Sequence, residues 1–246
     1  MGRGMQELRH ERIVQLMFDL FFLNIHRDEL LAVQCIQSIR RHYPDAPILA
    51  ISDGPLRRKL LAPLDDVQNL EIIQGDLLKY NSAIRQPPTT AHIRRNLTTI
   101  LERVPTGRII KLDPDSYVWR QARYCPDSYW AGTVSFGYHG KSFSHGLRFC
   151  HGGAWMMRTE LMYEILTSGL LESRFLNNPF IKGEDPVYGW IANELQVSPV
   201  AWREVFSSRL DEEKEQWKIQ PYLFAITHPV HLGSLESDSA KQEQPA

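Results

Sequence analysis

The chain has 246 residues, and its 28 lysines and arginines against 29 aspartates and glutamates give a formal net charge of −1. A dedicated nucleic-acid-binding domain carries a net basic surface, so this balance argues against nucleic acid as a partner. Hydrophobic residues make up 43% of the chain, which is enough for a large core and excludes an intrinsically disordered protein.

The three cysteines, Cys35, Cys125 and Cys150, are odd in number and widely spaced. They form no CxxC pattern, so we expect reduced thiols of a cytosolic protein rather than a zinc cage or a disulfide framework. Residues Met1–Arg12 are polar, unlike a secretory signal, and the apolar stretch Ile13–Ile25 is too short to cross a bilayer. We therefore predict a cytoplasmic protein without an integral membrane segment, and leave open a peripheral contact with a membrane.

The first half of the chain alternates between buried strands and helices. Apolar runs predict strands at Val14–Leu23, Pro47–Ser52, Leu70–Gln74 and Arg108–Leu112, and helical periodicity predicts helices at Glu29–His42 and Thr90–Val104. Such alternation forms βαβ units, in which the strands lie largely parallel in one sheet. We therefore predict an α/β fold with a Rossmann-like, mixed but mainly parallel sheet flanked by helices.

The second half is less regular. Cys125–Phe149 is rich in Gly, Ser, Tyr and His, which predicts a long loop or short antiparallel strands. Two further helices and a last strand are predicted at Thr159–Leu171, Pro186–Leu195 and Tyr222–Thr227. Glu236–Ala246 is polar and is expected to be disordered. No linker divides the chain, so residues 1–235 are predicted to form a single domain.

Carboxylates stand where two of the predicted strands end. Asp53 follows the second strand, and Asp113 and Asp115 follow the fourth. Ligands of parallel α/β sheets bind outside the carboxyl ends of the strands. Two carboxylates two residues apart can share Mg²⁺ or Mn²⁺, which would hold a diphosphate, and Asp53 can accept hydrogen bonds from a base or a ribose. The alternative is that these acids belong to solvated turns.

Two motifs in the second half could also carry chemistry. Gly152 and Gly153 permit close approach of the backbone to a ligand, with Trp155 nearby as a platform for a sugar ring. Glu184 and Asp185 stand at a predicted helix start, where a carboxylate could act as general base toward a hydroxyl. The alternatives are a bend at a strand edge, packed by Trp155 and the methionines in the core, for the glycine motif and an acidic helix terminus for the carboxylates.

Histidines and arginines offer weaker signals. His228 or His231 could complete a metal site begun by the aspartate pair, or could be an ordinary core or surface histidine. Arg94 and Arg95 could meet a phosphate or a carboxylate, although adjacent basic residues on a helix more often form a solvated face.

In this order, the motifs resemble those of GT-A fold glycosyltransferases, most closely the family 2 type, over roughly residues 14–233. The matching segments are Cys35–Ile39, Ala50–Pro55, Arg95–Leu97, Leu112–Asp115, Gly152–Ala154, Gly183–Asp185 and His231 or His228. They resemble, in turn, the C-x-x-S-[LI] helix, the V-x-D-G-S strand end, the R-N-x-G helix entry, the DxD motif, the glycine loop of the sugar pocket, the x-E-D motif and the C-terminal metal histidine.

The resemblance implies a metal-dependent glycosyltransferase of the hexosyltransferase type. It would move a sugar from a nucleotide-diphosphate sugar, by default a UDP-sugar, to a hydroxyl of an unidentified glycan, lipid or small-molecule acceptor. The implied residues are Asp113, Asp115, His231 and His228 for Mn²⁺ or Mg²⁺, then Asp53, Arg95, Asp113, Gly152 and Gly153 for the donor, and Asp185 with Glu184 for the base of an inverting reaction.

Two other functions fit parts of the sequence. Ile109–Ser116 resembles the strand and D-x-D motif of haloacid-dehalogenase-type phosphotransferases, with Asp113 as nucleophile, although Tyr117 stands where Thr or Val is expected. Pro186 directly follows the candidate base, which leaves room for a non-catalytic GT-A module that binds a nucleotide sugar or a glycan.

Overall fold

The computed structural model describes residues 17–25, 28–75, 87–136, 147–177, 183–207 and 225–228. The helices are α1 (Glu29–His42), α2 (Arg58–Leu61), α3 (Pro87–Arg103), α4 (Thr159–Thr167) and α5 (Glu184–Glu194). The strands are β1 (Leu20–Ile25), β2 (Ile48–Ser52), β3 (Leu70–Gln74), β4 (Arg108–Leu112), β5 (Tyr117–Val118), β6 (Trp130–Phe136), β7 (Arg148–Arg158), β8 (Val200–Ala201), β9 (Val205–Ser207) and β10 (Ile226–His228). Short 3₁₀ turns occupy Ala62–Leu64, Leu170–Glu172 and Arg174–Asn177.

Seven strands form one mixed sheet in the order β3-β2-β1-β4-β7-β6-β8. Strand β1 pairs in parallel with β2 and β4, and β2 pairs in parallel with β3. Strand β7 runs antiparallel to both β4 and β6. A second, three-stranded sheet has the order β5-β10-β9. The α/β prediction with a mixed, mainly parallel sheet is confirmed.

The central strands are apolar on both faces because helices cover both. Phe21 and Leu23 of β1 pack on one side with Ile36 of α1. Leu20 and Phe22 face the other side, in the core built with α3, α4 and α5. A strand with helices on both of its faces has a continuous run of apolar residues rather than alternating apolar and polar ones, as β1 and β2 do.

Strand β1 corrects the predicted Val14–Leu23, because it covers Leu20–Ile25 instead. Residues 14–16 lie outside the described residues. Before the strand, the Asp19 carboxylate accepts a hydrogen bond of 2.8 Å from the Arg108 N–H. At its end, the strand extends through Asn24, whose buried amide finds a partner in the side chain of His92.

The stretch Cys125–Phe149 is not a continuous loop, because it contains β6 and the start of β7. The alternative of antiparallel strands was the correct one. Gly132 favoured the prediction of a loop, because glycine weakens a strand. Here a Cβ at Gly132 would lie 3.1 Å from the Trp155 Cβ, so close packing requires the small residue. Residues 137–146 lie outside the described residues.

Helix α4 differs from its predicted bounds at its end, and helix α5 (Glu184–Glu194 rather than Pro186–Leu195) differs at both ends. Helix α4 stops at Thr167 rather than Leu171, because Gly169 takes the left-handed conformation with φ +73°. Helix α5 begins at Glu184, so Pro186 lies in its first turn. A proline is tolerated there because the first N–H groups of a helix have no partner inside it.

Some predictions fall partly or wholly outside the described residues. The last strand, β10, overlaps the predicted Tyr222–Thr227, of which residues 222–224 are not described. The predicted disorder of 236–246 and the single domain of 1–235 stay predictions. Within the described ranges, no helix is both long enough and apolar enough to cross a membrane.

Candidate active site

The carboxyl ends of β1, β2 and β4 lie side by side because these strands are parallel neighbours. Asn24 lies near the end of β1, Asp53 follows β2, and Asp113 follows β4. Strand β7 runs back along β4 with Ala154 paired to Leu112, which places its two glycines beside this edge. Polar groups from four strands therefore meet at one edge of the sheet.

Asp113 and Asp115 lie on a turn that strand β7 holds in place. The Asp113 N–H donates to the Gly153 carbonyl at 2.9 Å, and the Ser116 N–H donates to the Asp113 carbonyl at 2.9 Å. The buried Ser116 hydroxyl also donates to the Gly153 carbonyl, at 2.7 Å. Both aspartates keep partial solvent exposure on this turn.

Lys111 places a positive charge beneath this turn. The residue is 4% exposed, and its ammonium donates to a carboxylate oxygen of Asp113 and to the carbonyl of Gly152. Burial alone would lower the pKa of Lys111, but the charges of Asp113, Glu184 and Asp185 outweigh it and raise the pKa above its ordinary value. Lys111 is therefore a fixed cation among three carboxylates. The sequence analysis missed it.

Asp185 lies in the first turn of α5 and is tied to the neighbouring strand. The Gly152 N–H donates to its Oδ2 at 2.8 Å. Burial raises the pKa of the Asp185 carboxyl to about 7, with Lys111 opposing the rise and Asp113 and Glu184 adding to it. A carboxyl group that titrates near neutral pH is well matched to proton transfer at that pH.

Gly152 and Gly153 lie inside strand β7, which corrects the expectation of a glycine loop. A Cβ at Gly152 would overlap the carboxylate of Asp185, so the missing side chain makes room for that group. The expectation that Trp155 offers a sugar platform is wrong. Its indole is 2% exposed and packs edge-on against Tyr188, with ring centroids 5.6 Å apart.

A Gly152→Ala substitution is expected to lower kcat for any reaction that uses Asp185 by about 100-fold, because a shift of about 1 Å can cost that much. The added methyl would push the carboxylate from its place. Gly132→Ala is the matched control, since its methyl crowds Trp155 and Cys150 instead. If steady-state kinetics showed equal losses of kcat in the two variants, displacement of the Asp185 carboxylate would not be the cause.

A second cluster lies at the end of β2. Arg95 donates to Asp53 Oδ1 at 2.7 Å, and the ring Nδ1 of His92 lies 3.0 Å from the same oxygen. Asp53 and Arg95, predicted separately from the sequence, are therefore in direct contact. Arg94 points elsewhere and pairs with Glu172, with both side chains largely exposed, as expected for a solvated helix face.

His92 joins the two clusters. Its side chain is 2% exposed and the ring lies between Asp53 and Glu184, with Nε2 2.5 Å from Glu184 Oε1. Burial lowers the pKa of His92, but Glu184 and Asp53 outweigh that effect and raise the pKa to about 9. The sequence analysis missed His92. Its spacing from Arg95 and Asn96 on one face of α3 was the available signal.

The implied metal fits the aspartate turn in part. Asp113 and Asp115 offer the hard carboxylate oxygens that Mg²⁺ and Mn²⁺ prefer, although Lys111 already binds one oxygen of Asp113. Within the described ranges, no three potential metal ligands come together. His231 and the side chain of His228 lie outside what the structure describes, so their role as ligands stays a prediction.

No family model and no curated protein matches the sequence. Among solved structures, the chain is similar to an active-site mutant of LgtC, with a TM-score of 0.58 and 10% identity over 92% of this chain and 97% of that one. It is also similar to the galactosyltransferase LgtC in complex with donor and acceptor sugar analogues, with a TM-score of 0.56 and 11% identity over 87% of each chain. The chain has the GT-A fold. At such low identity the likeness establishes the fold, and the chemistry must be argued from the residues.

Proposed function

We propose that the protein is a glycosyltransferase that moves a sugar from a nucleotide-diphosphate sugar to an acceptor hydroxyl. The observation that carries this proposal is the placement of Asp185. The Gly152 N–H holds this carboxylate, and the lysine beneath it also binds Asp113 of the acidic turn. The GT-A fold and the likeness to LgtC with its donor and acceptor analogues support the assignment.

The donor would lie across the carboxyl ends of β2 and β4, where α/β folds bind nucleotides. Asp53 and Arg95 form its nucleotide side, and Asp113 and Asp115 form its diphosphate side. Within the described part of the chain, Arg95 Nη1 is buried and has no hydrogen-bond partner. The guanidinium, held by Asp53 through Nη2, puts a positive charge at this end of the site, where it would attract a phosphate.

Mn²⁺ or Mg²⁺, when bound, would neutralise the diphosphate and stabilise the departing nucleotide as a Lewis acid. Asp113 and Asp115 would hold it, with His231 or His228 as the proposed third ligand. Lys111 keeps the Asp113 side chain oriented on the turn. We also propose that the enzyme is of the family 2 type and that its donor is, by default, a UDP-sugar.

Asp185 would take the proton of the acceptor hydroxyl as its oxygen attacks the anomeric carbon. The bond to the sugar forms as the bond to the nucleotide diphosphate breaks, and the nucleotide leaves from the opposite face with inversion. With a pKa of about 7, Asp185 is substantially ionised at neutral pH and can accept that proton. Glu184 adds negative charge beside it and is held toward His92.

The phosphotransferase alternative has no support in the structure, because its motif lies on the fourth strand of a GT-A fold and Lys111 binds the carboxylate of Asp113. The non-catalytic alternative rested on Pro186, which the first turn of α5 accommodates.

The proposal is tested by incubating the protein with UDP-sugars and GDP-sugars, Mn²⁺ or Mg²⁺, and a panel of glycan, lipid and small-molecule acceptors. We expect release of the nucleoside diphosphate together with a product heavier by one sugar, read by mass spectrometry. Nucleotide binding without release from any donor would favour the non-catalytic module instead.

A further inference from the structure

His92 meets carboxylates from two other elements of the fold. Its Nδ1 lies 3.0 Å from Asp53 Oδ1, at the end of β2, and its Nε2 lies 2.5 Å from Glu184 Oε1, at the start of α5. The side chains of Asp53 and Glu184 are 8% and 13% exposed, so water screens neither contact well. One buried ring therefore connects the nucleotide side of the site with the helix that carries Asp185.

The two carboxylates beside the ring nitrogens favour a charged ring. A neutral imidazole has one N–H and can donate to one carboxylate, whereas the imidazolium donates from both nitrogens. The other groups around the ring are the amides of Asn24 and Asn96 and the guanidinium of Arg95, which lies 3.1 Å from Nδ1. Asp53 and Glu184 thus face Arg95 and the ring. Lys111 also attracts Glu184, but it offsets Asp113 and Asp185 as well, so a protonated ring supplies the second positive charge for this pair of carboxylates.

We propose that His92 is a positioning residue, which as an imidazolium fixes Glu184, and with it Asp185, relative to Asp53. This inference rests on the proposed function, because the role of Asp185 as base is argued there. The ring does not touch the reacting atoms. It sets the distance between the carboxylate at the nucleotide side and the first turn of α5, so that base and donor hold one geometry.

His92→Gln is expected to lower kcat by about 10- to 100-fold, the usual cost of losing a partner that orients a functional group. A glutamine amide donates from one end only and cannot hold both carboxylates. The KM for the donor should change less than threefold, because Arg95 still binds Asp53 at 2.7 Å. The loss should therefore appear in kcat rather than in KM.

The pH dependence separates this role from simple packing. The pKa of His92 is raised from 6.5 to about 9, so the stability that the charged ring adds is present in full below pH 6.5 and is lost as the pH rises through about 9. The difference in Tm between the wild type and His92→Gln should therefore be largest below pH 6.5 and vanish above about pH 9. The wild type should also lose kcat above about pH 9, and the variant should lack that alkaline limb.

Glu204→Gln is the matched control. Glu204 is 5% exposed and its carboxylate binds Arg120 at 2.7 Å and the Arg123 N–H at 2.5 Å, away from the site. This variant loses a buried ion pair of similar kind, so its Tm should fall. Its kcat and the alkaline limb of its pH profile should match those of the wild type.

Failure of the inference can be told from failure of the proposed function. A wild type that transfers no sugar contradicts the proposed function. The charge of the His92 ring can still be measured by following its signals in an NMR pH titration, which needs no activity. A ring that is neutral at pH 7 in the wild type overturns the inference. This result does not depend on whether His92→Gln folds. If the wild type transfers sugar, a kcat of His92→Gln equal to that of the wild type also overturns the inference.

Discussion

Replacing Asp185 by asparagine is expected to lower kcat by about 10²- to 10⁴-fold, the usual contribution of a general base, with little change in donor affinity. The amide keeps the shape of the side chain and can still accept the Gly152 N–H. It cannot accept a proton from the acceptor. Steady-state kinetics and donor titration of the same preparation would give both quantities.

The pH profile should carry the same signature. Because the pKa of Asp185 is about 7, kcat/KM of the wild type should rise as the pH increases through about 7 and then level off. Ionising this buried group opposes folding, since its pKa is raised from 3.8 and the folded state holds the proton more tightly. The asparagine variant should therefore gain Tm relative to the wild type as the pH rises from about 4 to above 7.

Asp127→Asn is the control for this substitution, because the Asp127 side chain is 85% exposed and pairs with arginines away from the site. It should keep the kinetics of the wild type. An Asp185→Asn enzyme with wild-type kcat would contradict the assignment of the base, whatever the donor.

Removing the buried lysine should have the largest effect on stability. Lys111→Met leaves the carboxylates of Asp113, Glu184 and Asp185 without the cation that offsets their repulsion. Breaking a buried ion pair on one side costs about 3–5 kcal/mol in the free energy of unfolding. We expect a loss of that size in urea unfolding at pH 8.

Lowering the pH should reverse part of this loss. Lys111 lowers the pKa of Asp185, so without it that pKa rises further. The penalty is present above this pKa and fades as Asp185 takes up a proton. Lys59→Met, on an exposed position of α2, should change stability by no more than about 0.5 kcal/mol. A Lys111→Met variant as stable at pH 8 as the Lys59 control would contradict the charge balance described here.

Several elements in the first half of the chain were predictable because their signals are local. Helix α1 and strands β3 and β4 have the predicted bounds, since apolar runs and helical periodicity coincide with turn residues at each end. The position of Asp53 and Asp113 at the ligand edge followed from one topological rule about parallel strands. Neither inference needed to know which helix covers which strand.

The rest of the site depends on packing that no local pattern encodes. Lys111 lies within an apolar strand, and only the approach of Gly152 and α5 reveals why a charge is buried there. His92 becomes informative once α3 turns it toward Asp53 and Glu184. Glycines inside a strand hid β7 from the sequence argument, although the alternative that placed Trp155 in the core was the correct one.

The most direct test of the account is a calorimetric titration of the protein with UDP and GDP, with and without Mn²⁺, on the wild type and on Asp115→Ala. We predict nucleotide binding that depends on the metal in the wild type and that the substitution abolishes, while thermal unfolding shows both proteins folded. Failure of the wild type to bind either nucleoside diphosphate in the presence of Mn²⁺ would contradict the proposed donor site at the ends of β2 and β4.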